Sequence, residues 1–294
     1  MKDKIRHAWK LLRRRPASLV GFGLIAFFFA VAAAAPLIAP PEKNSRDAYL
    51  IPQDGYSPDP VRPSAKHLFG TTEQQYDLYY GMVWGTRTAF RVAVVVVASS
   101  LTVGILIGGA AGFYGGWVDE LMMRFTDIVL AFPDLILAVV IVTVTKPSLS
   151  NVMLSVAAVS WPSYARLLRG DVLSIKERDF VSAARALGAS DFRILSRHII
   201  PNCIYPLLVV ASLSMGRIVI TAAALSFLGL GAPVGYADWG QLISLSRNWL
   251  LGSNGNPFEY WHTVFIPGFA IFFFVLGWNL LGDAVRDILD PRQK

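Results

Sequence analysis

Residues 92–113 read VAVVVVASSLTVGILIGGAAGF, twenty-two consecutive positions without a charge. A helix rising about 1.5 Å per residue would carry this stretch across roughly 30 Å of hydrocarbon. The composition of the whole chain agrees. Of 294 residues, 54% are apolar and 16% charged, with a mean hydropathy of +0.48, whereas soluble domains carry roughly 25% charged residues. A soluble enzyme and a disordered chain are both excluded, and the expected fold class is an all-α polytopic membrane protein.

Working outward, further apolar runs occupy Ser18–Ala39, Asp127–Val144, Leu149–Ala165, Ile204–Leu228 and Thr263–Leu281, so that six spans are expected with Val92–Phe113. The chain divides into a basic N-terminus (1–17), a first transmembrane helix (18–39), an outer loop (40–88) and a membrane domain (89–294) that holds a long polar loop at 166–203. Residues 1–15 carry seven basic residues against Asp3 alone, which places the N-terminus in the cytoplasm by the positive-inside rule. Six spans return the C-terminus to that side, and the loop 166–203 falls inside as well. The first run also resembles a signal peptide, with small residues at Ala33–Ala35. Because the apolar run continues to Ile38 and five more follow, an uncleaved anchor is the expected reading.

The single cysteine, Cys203, leaves no disulfide framework and no multi-cysteine metal site. His198 and His262 lack a second ligand at metal spacing, and no catalytic constellation stands out, so neither metal nor enzymatic chemistry is expected. Gly104, Gly108, Gly112 and Gly116 recur every fourth residue, a seam at which another helix can approach closely. Two charges lie inside apolar runs. Asp134 is about seven residues, some 10 Å, into the third, and Arg217 about thirteen residues, some 20 Å, into the fifth. Each costs at least about 2.5 kcal/mol unless paired or facing water. Both are expected to point into the bundle, as a polar lining of a translocation path or as a structural ion pair. Between Gly229 and His262, an amphipathic helix capped by Asp238 would carry Trp239, Leu242, Ile243, Trp249 and Leu250 on one side and suit a headgroup interface or a docking surface. The proline-rich stretch around Pro52, Pro58, Pro60 and Pro63 is a second docking candidate.

In the polar loop, Phe180, Val181, Ala184 and Leu187 follow helical spacing, Gly188 suits a left-handed helix end, and Ser190 suits an N-cap. Phe192, Leu195 and Ile199 continue a second apolar face that is expected to stop before Pro201. Two short helices joined by a tight turn would fit a groove on a partner or lie on lipid headgroups.

The stretch FVSAARALGAS (180–190), followed by Ile199-Ile-Pro-Asn202, resembles the EAA motif of ATP-binding-cassette (ABC) importer permeases. Residues 115–119 (GGWVD), 130–133 (LAFP), 225–231 (LSFLGLG), 238–240 (DWG), 279–283 (NLLGD) and 290–292 (DPR) are similar to the dipeptide/oligopeptide/nickel branch of that family. Ser182 stands where the motif usually has glutamate, and Ala222 where an acidic residue is common. A preceding family motif survives as His67, Gly70, Thr71 and Asp77.

The resemblance implies a binding-protein-dependent transport component of the bacterial or archaeal inner membrane that forms half of a path for peptides or related solutes. Its coupling helix would present Ser182, Ala183, Ala184, Arg185, Leu187, Gly188 and Ser190 to a cytoplasmic ATPase. The implied partners are two such ATPases, which would bind ATP and Mg, a second homologous permease, and an extracytoplasmic solute-binding protein. The chain itself has no GxxxxGK[ST] phosphate cradle and no cofactor of its own is expected. A stand-alone secondary transporter or channel using Asp134 and Arg217 is the competing class, although no internal repeat is visible. A scaffold that only anchors ATPases is a third.

Overall fold

The computed structural model describes residues 16–42, 45, 47–249, 256 and 258–289; the basic segment 1–15, Leu250 and the 290–292 motif lie outside the described residues. The described chain is helical, with three isolated antiparallel bridges in place of strands. Its helices are α1 (Pro16–Ile38), α2 (Leu78–Tyr114), α3 (Gly116–Leu130), α4 (Asp134–Thr145), α5 (Leu149–Ile175), α6 (Asp179–Ala186), α7 (Asp191–Ile194), α8 (Ile200–Phe227), α9 (Trp239–Leu245) and α10 (His262–Leu289). One end of the bundle carries the loop around α6 and α7, and the opposite end carries a cap built from residues 47–77 and 229–249.

Among the described residues, four helical stretches are long and apolar enough to cross a membrane: Pro16–Ile38, Leu78–Tyr114, Asp191–Phe227 and His262–Asp287. The bent pair α3–α4 would make a fifth. The expected six is therefore not reached on length and composition. The missing candidate is α5, whose 27 residues suffice in length but include Asn151, Trp161, Pro162 and several serines. The same helix buries thirteen residues, from Leu149 to Val172. A helix enclosed by protein does not need the lipophilic surface that a lipid-facing one does.

Three boundaries differ from the sequence reading. Residues 78–88, expected in the outer loop, form the first turns of α2. Asp77 caps them by accepting the Tyr80 N–H at 2.8 Å, and their polar side chains find partners inside the protein. Thr86 donates to Met82 O, Thr88 to Ala237 O, and Arg87 Nε to Ala32 O. The run 127–144 is not a continuous helix. It breaks at 131–133, and α3 and α4 meet at 90°, because Pro133 has no N–H to donate and disfavours helical geometry at Phe132. Finally, the segment after Ser190 does not stop before Pro201. A π-helical turn over Leu195–Ile199 feeds straight into α8, a widening that relieves the clash of the proline ring with the preceding turn.

The central pair is α2 and α5. A methyl group added at Gly104 would sit 2.5 Å from Tyr164 Cβ, one at Gly108 would overlap the Ala165 carbonyl, and one at Gly112 would meet Val172 at 2.9 Å. Gly116 lies outside this seam. It starts α3 at φ +55° with open space around it, because the chain turns at Gly115 and the every-fourth-residue pattern loses its face there. Around the central pair, one apolar core joins α2, α4, α5 and α8 through Val96, Ala138, Val156 and Ile218. A second, toward the cap, joins α1, α2, α9 and α10 through Phe28, Trp84, Trp239 and Phe274.

Candidate functional site

At the loop end, α6 and α7 form a compact hairpin. The turn is closed by Gly188 at φ +78°, whose N–H reaches Arg185 O at 3.0 Å, and by Ala189 N–H on Ala184 O at 3.1 Å. This left-handed closure satisfies helix-end carbonyls and is inexpensive only for glycine. Val181, Ile194 and Ile199 are buried and seat the hairpin against α5 and α8. Ala184 also turns inward, so it belongs to the hairpin's own core, while Ser182, Ala183, Arg185, Leu187, Gly188 and Ser190 face out. Ser190 stands at the N-cap position of α7 without a capping hydrogen bond from its side chain. Leu187 is 88% exposed at the tip, flanked by exposed Phe180 and Phe192. The hairpin thus presents an apolar knob on a short, rigid mount.

Within the bundle, Arg217 Nη1 donates to Asp134 Oδ2 at 3.1 Å. Asp134 does not lie inside an unbroken helix, as the run 127–144 suggested. It opens α4 immediately after the break, and both partners are about half exposed. Two further pairs, not anticipated from the sequence, tie the same bent segment to α5. Arg169 grips Asp119 with two hydrogen bonds of 2.5 and 2.6 Å, and Arg166 reaches Asp127 at 2.6 Å. A partial signal was present: Asp119 and Asp127 are spaced by eight residues, close to two helical turns, on one helix.

At the cap end, Asp238 caps α9 by accepting the Gln241 N–H at 2.9 Å. Its burial holds the carboxyl above the ordinary carboxylate range. Trp239 is not at a headgroup interface: it is buried, its Nε1 donates to Met82 O at 3.1 Å, and it packs on Phe28 and Phe274. Trp249 Nε1 likewise donates to Glu73 at 3.1 Å. His67, whose role the sequence left open, bridges the cap to α2 through Nδ1 and Asp77 Oδ2 at 2.8 Å. It lines an open cleft of about 360 Å³ with Glu42, Asp54, Asp77, Tyr79 and Tyr80. Lys66, bound to Asp54, draws that carboxyl below its usual range. His262 is buried with Nε2 at 3.1 Å from Val61 O, and the His198 carbonyl accepts from Asn202. Cys203 is buried. Among the described residues, no group of three or more His, Cys, Asp or Glu is placed to hold a metal ion.

The described chain thus has an exposed hairpin at one end, a broken helix in the middle and a cap with an open cleft at the other. Residues 104–294 match the family described as binding-protein-dependent transport system inner membrane component. The chain belongs to that family. Residues 5–55 of the permease match the N-terminal TM domain of oligopeptide transport permease C.

The permease is 39% identical to the dipeptide transport system permease protein DppC of Alkalihalophilus pseudofirmus, over 98% of this chain and 90% of the relative. It is 34% identical to the DppC of Haemophilus influenzae, over 100% and 96%. With the glutathione transport system permease protein GsiD of Pectobacterium atrosepticum it shares 36% identity over 84% and 81%. Its fold is similar to that of the MetNI methionine ABC transporter in inward-facing conformations, at a TM-score of 0.53 and 18% identity, covering 71% of this chain and 96% of that one. The permease is a multi-pass membrane subunit of an ABC importer, and the stand-alone transporter is not favoured.

Proposed function

We propose that this permease carries peptides or related small solutes inward, as one of two homologous permeases that share the path. Its loop end faces the cytoplasm together with both termini, and its cap faces the solute-binding protein that delivers the cargo. Two cytoplasmic ATPases hold ATP and Mg and drive the cycle through the α6–α7 hairpin. Ser182, Ala183, Arg185, Leu187, Gly188 and Ser190 form the coupling surface, and Ala184 supports it from inside. Asp134 and Arg217 line the path. The names of the dipeptide relatives support the solute class.

The observation that carries the coupling reading is the exposed Leu187 knob beside Gly188. An apolar side chain held out on a rigid turn is stable in water only at a cost of roughly 25 cal/mol per Å² of exposed surface, which a fitted partner recovers. With Cys203 replaced by serine, an Arg185→Cys variant in intact cells should crosslink to an ATP-binding subunit. Absence of that adduct, with the permease present in the membrane, would sink the assignment.

A further inference from the structure

The two halves of the bent segment are attached differently: α4 packs Ala138 and Val142 into the apolar core, whereas α3 is held mainly from its ends. On α3 only Thr126 is buried, while Trp117, Leu121, Phe125 and Ile128 are exposed. The segment's hold on the straight helices includes three carboxylates, each taken by an arginine of α5 or α8, and the three are not equal. Asp119 is 17% exposed and bound to Arg169 by two parallel hydrogen bonds. Asp127 is 63% and Arg166 57% exposed, with one hydrogen bond. Asp134 is 47% and Arg217 51% exposed, again with one hydrogen bond, at 3.1 Å. A two-pronged, shielded pair is strong and directional, whereas water competes effectively for an open single contact.

The segment is also jointed on both sides of α3. Gly115 and Gly116 sit at φ +66° and +55°, and Lys176 Nζ, 3.9 Å away, is the nearest thing a methyl at Gly115 would meet. At the other end, residues 131–133 break the helix and are exposed. A segment with a joint at each end of α3, one tight pair beside the first joint and two open pairs beyond it, is built to swing from one side.

We propose that α3 and the break after it form a flap that turns about the Asp119–Arg169 anchor while α4 from Ala138 onward stays packed in the core, with the Asp127–Arg166 and Asp134–Arg217 pairs on either side of the break opening and reclosing in each transport cycle. This rests on the reading that solute passes through the bundle. Asp127 and Arg166 become positioning residues, and Asp134 and Arg217 gain a moving role in place of a static lining.

The test uses the complete transporter in proteoliposomes with Cys203 replaced by serine. Asp127→Cys and Arg166→Cys, a pair outside the proposed path lining, are bridged by a short bis-methanethiosulfonate. The bridge should lower ATP-driven dipeptide uptake at least tenfold relative to the unbridged double variant, and reduction should restore it. Uptake unchanged by a completed bridge overturns the proposal, and so does failure to bridge in every nucleotide state.

A second measurement does not depend on that variant folding. A Phe132→Cys reporter at the break should react with a water-soluble maleimide at rates that differ at least fivefold between the nucleotide-free and ATP–vanadate states. Equal rates overturn the flap. If the wild-type complex carries no peptide, the functional reading fails, and the reporter alone still decides whether the segment moves.

Discussion

At Pro36 the chain creates a local problem and solves it at a distance. Proline has no N–H, so the carbonyl of Ala32, one turn earlier in α1, loses its helical donor. Arg87 of α2 supplies the replacement, with Nε 2.7 Å from Ala32 O and the guanidinium 5.0 Å from the Trp84 ring centroid. Trp84 in turn donates to Ala39 O at 2.9 Å. Replacing Arg87 with methionine keeps the apolar stem but leaves a carbonyl unsatisfied, a loss of about 1–3 kcal/mol. Arg87→Met should therefore loosen α1, read as faster proteolysis of α1 in detergent and a lower thermal midpoint.

Asp238 makes a second residue-level case. Burial raises its folded-state pKa above that of an unfolded carboxyl. The stability it contributes is thus fully present below the unfolded value of about 3.9 and is lost as pH rises through the folded value. Asparagine caps helices as well as aspartate does. The expected outcome is a wild-type thermal midpoint that falls as pH rises from about 4, with a flatter profile in Asp238→Asn.

Among the elements, the hairpin was largely legible from its residues and the broken helix was not. Gly188 followed by Ser190 has a local meaning, because a left-handed position next to a helix start restricts the residue type directly. Replacing Gly188 with valine puts a β-branched side chain at φ +78°. It should displace the Leu187 knob and uncouple ATP hydrolysis from uptake while the bundle remains assembled. Persisting ATPase activity with uptake reduced tenfold or more is the signature to look for.

The bend at 131–133 lies in a stretch whose apolar character hardly changes across Pro133, so hydropathy cannot tell a kinked span from two helices. The π turn at Leu195–Ile199 is hidden for a similar reason, since Pro201 reads as a stop unless the preceding turn widens. The arginine partners of Asp119 and Asp127 depend on which helices are neighbours, and a single sequence does not carry that information. Residues 78–88 read as outer loop because polar side chains suggest water, whereas Arg87, Thr86 and Thr88 are satisfied by backbone carbonyls of the protein.

For the molecule as a whole, two stretches of equal length set the mechanics. Leu78–Tyr114 and Asp191–Phe227 each run 37 residues, or about 55 Å, against a hydrocarbon layer of about 30 Å. Each overshoots the bilayer by several turns and joins the two ends without a loop between them. The second rises directly from the hairpin, through the π turn and past Arg217, to the turn where Ser244 of α9 bonds Phe227 O at 2.8 Å. A displacement of the loop end therefore travels along a continuous push rod, with the π turn and Pro206 as its compliant points. Cap and hairpin are joined by one continuous helix, so on the coupling role proposed above a ligand that wedges the cap should be felt at the hairpin before any solute has entered.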